Sequence, residues 1–164
     1  MRERLPHLGL TVSATTRAPR AGEIDGTTYH FLSDAEFTRR VEAGEFLEWA
    51  QVHDHRYGTL ASEVDRNLAA GSSLILEIDV QGALAVRERF PEAVLIFIEP
   101  PSIDVLRRRL IGRGSETEET LALRLADAER ELAFAPSYDV RLVNDDLDRA
   151  TDELVRVLTS YERY

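Results

Sequence analysis

Two near-continuous apolar runs, SLILEIDV (73–80) and AVLIFIEPP (93–101), constrain the fold of this chain more than any other feature. A strand that alternates apolar and polar residues has one wet face, whereas a strand apolar throughout is buried on both, as in a parallel sheet covered by helices. The helix-like GALAVRERF between them completes a β–α–β unit, and a third such run, YDVRLVND (138–145), is followed by the amphipathic DLDRATDELVRVLTSYERY. The expected class is α/β, with a parallel sheet and helices on both faces. In such sheets ligands bind beyond the carboxyl ends of the strands. Asp79, Asn144 and the Pro100-Pro101 break all fall at such ends.

The first half has a different texture. LGLTVSA (8–14) reads as a short strand, followed by a loop punctuated by Pro and Gly. GTTYHFLS (26–33) and EFLEWAQVH (45–53) read as strands, and between them SDAEFTRRVEAGEF reads as a helix capped by Ser33, with Glu36 three positions on and Gly44 as its stop. DHRYGTLA runs into a further helix that ends at AAGSS. Clustered strands with an inserted helix point to a small mixed element beside the parallel core. Farther along, SIDVLRRRLIGRG reads as a helix with Ser102 as cap and Gly114 as stop, ahead of the long helical pattern SETEETLALRLADAERELAFA.

Size and charge then bound the ligand. At 164 residues the chain suits one domain with a smaller subdomain, and at a net charge of −10 it offers no wide basic surface for nucleic acid. A small anion would need a local cation cluster. All 20 basic residues are arginine, so arginine placement is informative. Cysteine is absent, which excludes disulfides and thiolate metal sites and fits a reducing compartment. No apolar run reaches membrane-spanning length and MRERLPHLGL lacks the long apolar stretch of a secretion signal, so the cytoplasm is the expected location. Nothing in the sequence names a protein partner.

Within TVSATTRAPRAGEIDGTTYHF (11–31), Arg17 and Arg20 flank Pro19 just after a strand, where their forks could close on one phosphate with help from Ser13 and the Thr15-Thr16 pair. A pair of arginines on a solvated loop is the equal alternative. Tyr29 and Tyr57 could each offer a phenolic hydrogen bond to the same anion, or be ordinary core tyrosines. Glu48, inside FLEWA, is a carboxylate among Phe46, Leu47 and Trp49, where an unpaired charge is costly. Its two oxygens match the paired N1–H and exocyclic amine of guanine; a solvent-facing place on an edge strand is the other reading.

Six blocks in order, SATTRAPRAGEIDGTTYHF, GEFLEWAQVHDHRYGT, LILEIDVQGA, IFIEPPS, RRRLIGRGSETEETLALRL and YDVRLVNDDLDRA, resemble the guanylate kinase family over essentially all of the chain. The resemblance implies a P-loop NTPase-like parallel sheet with a GMP-binding subdomain (about 14–70), a helical lid (about 102–130) and the remainder as core. It implies a nucleoside monophosphate kinase that passes the terminal phosphoryl group of ATP to GMP with Mg2+, for which no protein ligand is assigned. By the same likeness Ser13, Arg17, Arg20, Tyr29 and Tyr57 hold the GMP phosphate, while Glu48 and Thr59 read guanine. Asp79 lies close to the guanine and to a metal-bound water network, with its role between them open. Arg109, Arg113 and Arg124 neutralise transferring phosphates from the lid, and Asn144 lies beside the adenine. The family's Gly-rich G-x-x-x-x-G-K-[ST] loop has no counterpart in these residues, so its first strand and P-loop are expected to be absent from this chain. That absence raises an alternative: a catalytically dead GMP-binding or peptide-binding guanylate kinase-like module. A third reading, an Arg-rich helix binding an acidic partner, sits badly with the negative charge.

Overall fold

The computed structural model describes residues 3–112 and 117–161. The chain divides between Ala93 and Val94 into two compact units. The first carries β1 (Gly9–Leu10), β2 (Ala14–Thr15), β3 (His30–Phe31), α1 (Asp34–Glu42), β4 (Phe46–Val52), β5 (His55–Leu60), α2 (Ala61–Ala69), β6 (Leu74–Ile75) and α3 (Val80–Arg89). β1 and β6 form a two-stranded parallel pair, and the other strands a mixed sheet in the order β3-β2-β5-β4.

The apolar stretch 8–14 is thus shared between two sheets. Gly9 and Leu10 pair with Leu74 and Ile75, and then Ala14 and Thr15 pair with β3 and β5. Residues 11–13 make the crossing. There the Thr11 amide still donates to the Ile75 carbonyl (3.2 Å), and the Val12 amide donates to Glu63 Oε1 on α2 (3.2 Å). A strand extends only as far as its partner does, so β6 is two residues long where eight had been expected. β6 pairs with β1, and β7 of the second unit with β8, both in parallel. Residues 55–60 are a further departure: they form a strand, since Tyr57 and Gly58 are claimed by both β2 and β4, and the helix begins only at Ala61.

The β4–β5 hairpin gives the mixed sheet its two faces. Along β4, Phe46, Glu48 and Ala50 are buried while Trp49 is 45% exposed. On one face Phe37 of α1, fully buried, stacks on Phe46 with ring centroids 4.5 Å apart and meets Trp49 edge-on at 6.3 Å. Gly58 permits this close approach: a Cβ there would lie 2.9 Å from the Glu48 carbonyl oxygen, Phe46 Cδ1 and Trp49 Cβ. The opposite face carries Thr15, Tyr57, Thr59 and Glu48, as the pairings Thr15–Tyr57 and Glu48–Thr59 and the two-residue period of β5 require. α3 packs against β4. The helix ends follow the expected chemistry: the Ser33 hydroxyl accepts from the Glu36 amide (3.2 Å), and Gly44 takes the left-handed conformation at φ 66°.

The second unit carries β7 (Ile96–Glu99), α4 (Ile103–Gly112), α5 (Glu118–Leu132), a 3-10 turn (Ala135–Ser137), β8 (Val140–Val143) and α6 (Leu147–Tyr161). β7 and β8 run parallel in the register Ile96–Val140 to Glu99–Val143, and α4 packs on α5. Ser102 caps α4 through the Val105 amide (3.2 Å) and Thr117 caps α5 in a reciprocal pair with Thr120. Gly114, the expected stop, and Arg113 lie outside the described residues.

Candidate functional site

The sheet face that carries Tyr57 and Thr59 holds two chemically distinct clusters in the first unit. At one end Arg17 lies beside Tyr29 and Phe31, its Cζ 5.4 and 5.9 Å from their ring centroids. Tyr29 meets Tyr57 edge-on at 6.2 Å. The Arg17 fork is oriented by Glu23: Nη1 donates to Oε2 (3.0 Å) and Nη2 to Oε1 (2.8 Å), while Nη1 also donates to the Ala18 carbonyl (2.8 Å). The Arg20 amide donates to Glu23 Oε2 at 2.6 Å. Glu23 thus ties the side chain of Arg17 to the backbone of Arg20. This pairing raises the pKa of Arg17 further and holds the Glu23 carboxyl below its usual range, through Arg17 first and the Arg20 amide second. These bonds engage three of the five guanidinium donors of Arg17, whose charged form is also favoured by Tyr57 beside it.

The hydroxyls around this loop are mostly structural. Thr15 Oγ1 accepts from the Arg17 amide (3.1 Å) and Thr16 Oγ1 from the Arg56 amide (3.0 Å). The Ser13 carbonyl accepts from the His30 amide at 2.9 Å. Arg20 is in the same loop with an exposed side chain.

At the other end Glu48 is 6% exposed and Thr59, its partner across the hairpin, 0%. Glu48 Oε1 and Thr59 Oγ1 are buried and have no hydrogen-bond partner among the described residues. A buried carboxylate oxygen left in this state costs free energy that a ligand donor would recover. Burial raises the pKa of Glu48 and the charge of Asp79 adds to this; Thr59 pulls the other way, too little to reverse it. Asp79 itself caps α3, its Oδ1 accepting from the Gly82 amide at 2.8 Å. The alternative of a solvent-facing Glu48 is therefore excluded: the register shifts between Phe46 and Glu48, and Glu48 pairs with the fully buried Thr59. Tyr57 and Thr59 are two residues apart on β5, so the two clusters are separated by roughly 7 Å along the strand.

An arginine fork at one end and a buried acceptor at the other match the phosphate and base of a purine nucleotide, and the family profile described as Guanylate kinase matches residues 2–161. The chain belongs to the guanylate kinase family. It is 49% identical over 156 residues to a guanylate kinase of Caldanaerobacter subterraneus, a match that covers 95% of this chain and 76% of the relative. A guanylate kinase of Nocardia farcinica is 50% identical over 162 residues, covering 98% and 84%. The crystal structure of guanylate kinase from Anaplasma phagocytophilum superposes with a TM-score of 0.84 at 34% identity, covering 99% of this chain and 80% of that one.

The remaining residues singled out from the guanylate kinase pattern lie in the second unit. Arg109, on α4, reaches the segment after β8: Nη1 donates to the Asn144 carbonyl (2.8 Å) and Nη2 to the Asp145 carbonyl (3.1 Å). The Asn144 amide donates in turn to the Glu99 carbonyl at 2.8 Å, which fixes that segment to the end of β7. Arg124 is half-buried on α5, and Arg113 falls among the undescribed residues. The sequence reading passed over Glu23 and Gly82. The signal for the first was an acid three positions beyond Arg20, and for the second a glycine inside the first turn of a helix.

Proposed function

We propose that this chain is a guanylate kinase that transfers the terminal phosphoryl group of ATP to GMP, forming GDP in purine nucleotide metabolism. The observation that carries the reading is the buried Glu48 Oε1, which has no hydrogen-bond partner among the described residues, on a strand position paired across the hairpin with Thr59. Guanine supplies two donors side by side, N1–H and the exocyclic amine, whereas adenine supplies no such pair. Glu48 must be ionised to accept both, and its raised pKa means that base binding draws the carboxyl back toward the charged form. Arg17, pre-oriented by Glu23, offers its remaining donors to the GMP phosphate beside Tyr29 and Tyr57; Ser13 and Arg20 join it from the same loop.

Phosphoryl transfer to such an acceptor needs position and charge neutralisation more than covalent chemistry. We assign neutralisation to Arg109, Arg113 and Arg124, the adenine side to Asn144, and the roles of GMP subdomain and lid to residues 14–70 and 102–130. Mg2+ neutralises charge on the phosphates of ATP. We assign the ion to the nucleotide. Asp79, with one oxygen committed to the α3 cap, acts on the base end through its charge on Glu48. We place the enzyme in the cytoplasm; no helix among the described residues is long and apolar enough to cross a membrane.

The relatives carry the name of the kinase itself, which does not favour a catalytically dead binding module. Calorimetry with GMP and AMP tests the reading: GMP binds and AMP does not reproduce it. Equal affinity for the two would refute Glu48 as the base reader.

A further inference from the structure

Helix α3 has a glycine in its first turn, a position where almost any other residue is a better helix former. Gly82 is not there for backbone freedom, because its φ is not among the positive ones. Space is the reason. A Cβ at Gly82 would lie 2.6 Å from Glu48 Oε2, 3.1 Å from Glu48 Cδ and 3.3 Å from Ile78 Cβ. The helix cannot easily rotate away, since Asp79 Oδ1 holds the Gly82 amide at 2.8 Å and its neighbours Val80, Ala83 and Val86 are buried. The Glu48 carboxylate therefore rests against a bare Cα.

We infer that Gly82 is a specificity-determining positioning residue: by leaving out a side chain it sets how far the Glu48 carboxylate retreats from the base, and so whether both oxygens meet the two donors of guanine. The inference rests on the base-reading role proposed for Glu48. The end of a glutamate side chain moves at little cost, so a methyl group at position 82 displaces the carboxylate and leaves the fold standing. Its effect is on selectivity, with stability held or raised by the better helix former. Hypoxanthine keeps N1–H and lacks the exocyclic amine, so the ratio of GMP to IMP affinity reads the second carboxylate contact directly.

The experiment measures dissociation constants of GMP, IMP and inorganic phosphate, with thermal midpoints, for the 164-residue chain and for Gly82→Ala, Glu48→Gln, Glu48→Asp and the double variant Glu48→Asp/Gly82→Ala. Gly82→Ala is expected to lower the GMP:IMP ratio about tenfold, the weight of one misplaced polar contact, with phosphate affinity and thermal midpoint not reduced. In the Glu48→Asp background the shorter side chain leaves room for the Cβ, and the same change leaves the ratio as it was. An unchanged ratio in Gly82→Ala, or an equal drop in both backgrounds, overturns the inference while a collapsed ratio in Glu48→Gln keeps the base-reading role standing. An unchanged ratio in Glu48→Gln overturns both. If Gly82→Ala alone does not fold, the pair of Glu48→Asp variants decides: equal ratios and midpoints support the steric account, and a further loss on adding Gly82→Ala refutes it.

Discussion

The two ends of the sheet face that carries Tyr57 and Thr59 solve opposite problems. The end proposed for the phosphate is partly open and its chief cation is already partnered: Arg17 and Glu23 hold each other through two charge-assisted bonds, and their side chains are 12% and 17% exposed. The end proposed for the base is buried, with Glu48 6% exposed and Thr59 0%, and Glu48 Oε1 and Thr59 Oγ1 have no hydrogen-bond partner among the described residues. A dianion brings strong, long-range attraction that needs orienting, so an ion pair that stiffens the fork is useful. A neutral base brings only hydrogen bonds, whose discrimination depends on what it costs to leave their partners unmade. Affinity is thus expected to come from the open end and selectivity from the closed one.

The largest expected effect that tests this division is Glu48→Gln. A carboxamide accepts one guanine donor and presents its own donor to the other, so GMP affinity should fall about 10- to 100-fold, equivalent to about 1–3 kcal/mol, with ATP affinity unchanged. A fall shared equally by GMP and ATP would break the comparison. The same substitution removes a buried charge and should raise the stability of the ligand-free protein by about 1–3 kcal/mol in denaturant titrations; a loss of stability would show that the carboxylate has a structural task.

The sign with pH follows from the raised folded pKa. Deprotonation favours the unfolded chain, so the advantage of Glu48→Gln is absent below the ordinary value of 4.5 and grows as pH rises through the raised one. An advantage already complete at pH 4 would contradict this. Glu36 behaves oppositely: its pKa is lowered to about 2 by Arg39 and Arg40, so its contribution is present above 4.5 and lost as pH falls toward 2.

At the phosphate end, Arg17→Lys keeps the charge and removes the fork, and should weaken GMP about tenfold without altering the GMP:IMP ratio. A changed ratio would mean that the ends are not separable. The smallest effect is expected from Glu23→Gln. The fork loses its orienting charge and phosphate binding weakens by about threefold, with little change in melting temperature, since an ion pair near the surface adds little to stability.

The sequence made helices legible and strands only in part. α1 runs from its Ser33 cap to just short of the Gly44 stop, because caps and glycines are local signals. Strand lengths depend on partners distant in sequence: the run at 73–80 is apolar over most of its length, yet only Leu74 and Ile75 find β1. Residues 55–60 could not be separated from the following helix, as Gly58 makes sense only against the backbone of β4. At the site, Arg17 and Glu48 stood out because their residue types were out of place. The direction of Glu48 was undecidable because the register of β4 shifts between Phe46 and Glu48, and Glu23 and Gly82 escaped because orienting an arginine and making room for a carboxylate leave almost no compositional trace.

The hairpin also gives the protein an optical reporter. Trp49, the one tryptophan of the chain, follows Glu48 on β4 yet points to the other face, edge-on to Phe37. Its emission therefore senses how α1 sits on the sheet, and a purine bound at Glu48 is on the far side of the strand from the indole. A shift in fluorescence on adding GMP would accordingly signal movement of the strand itself, and silence would mean that the nucleotide enters a sheet already in its final shape.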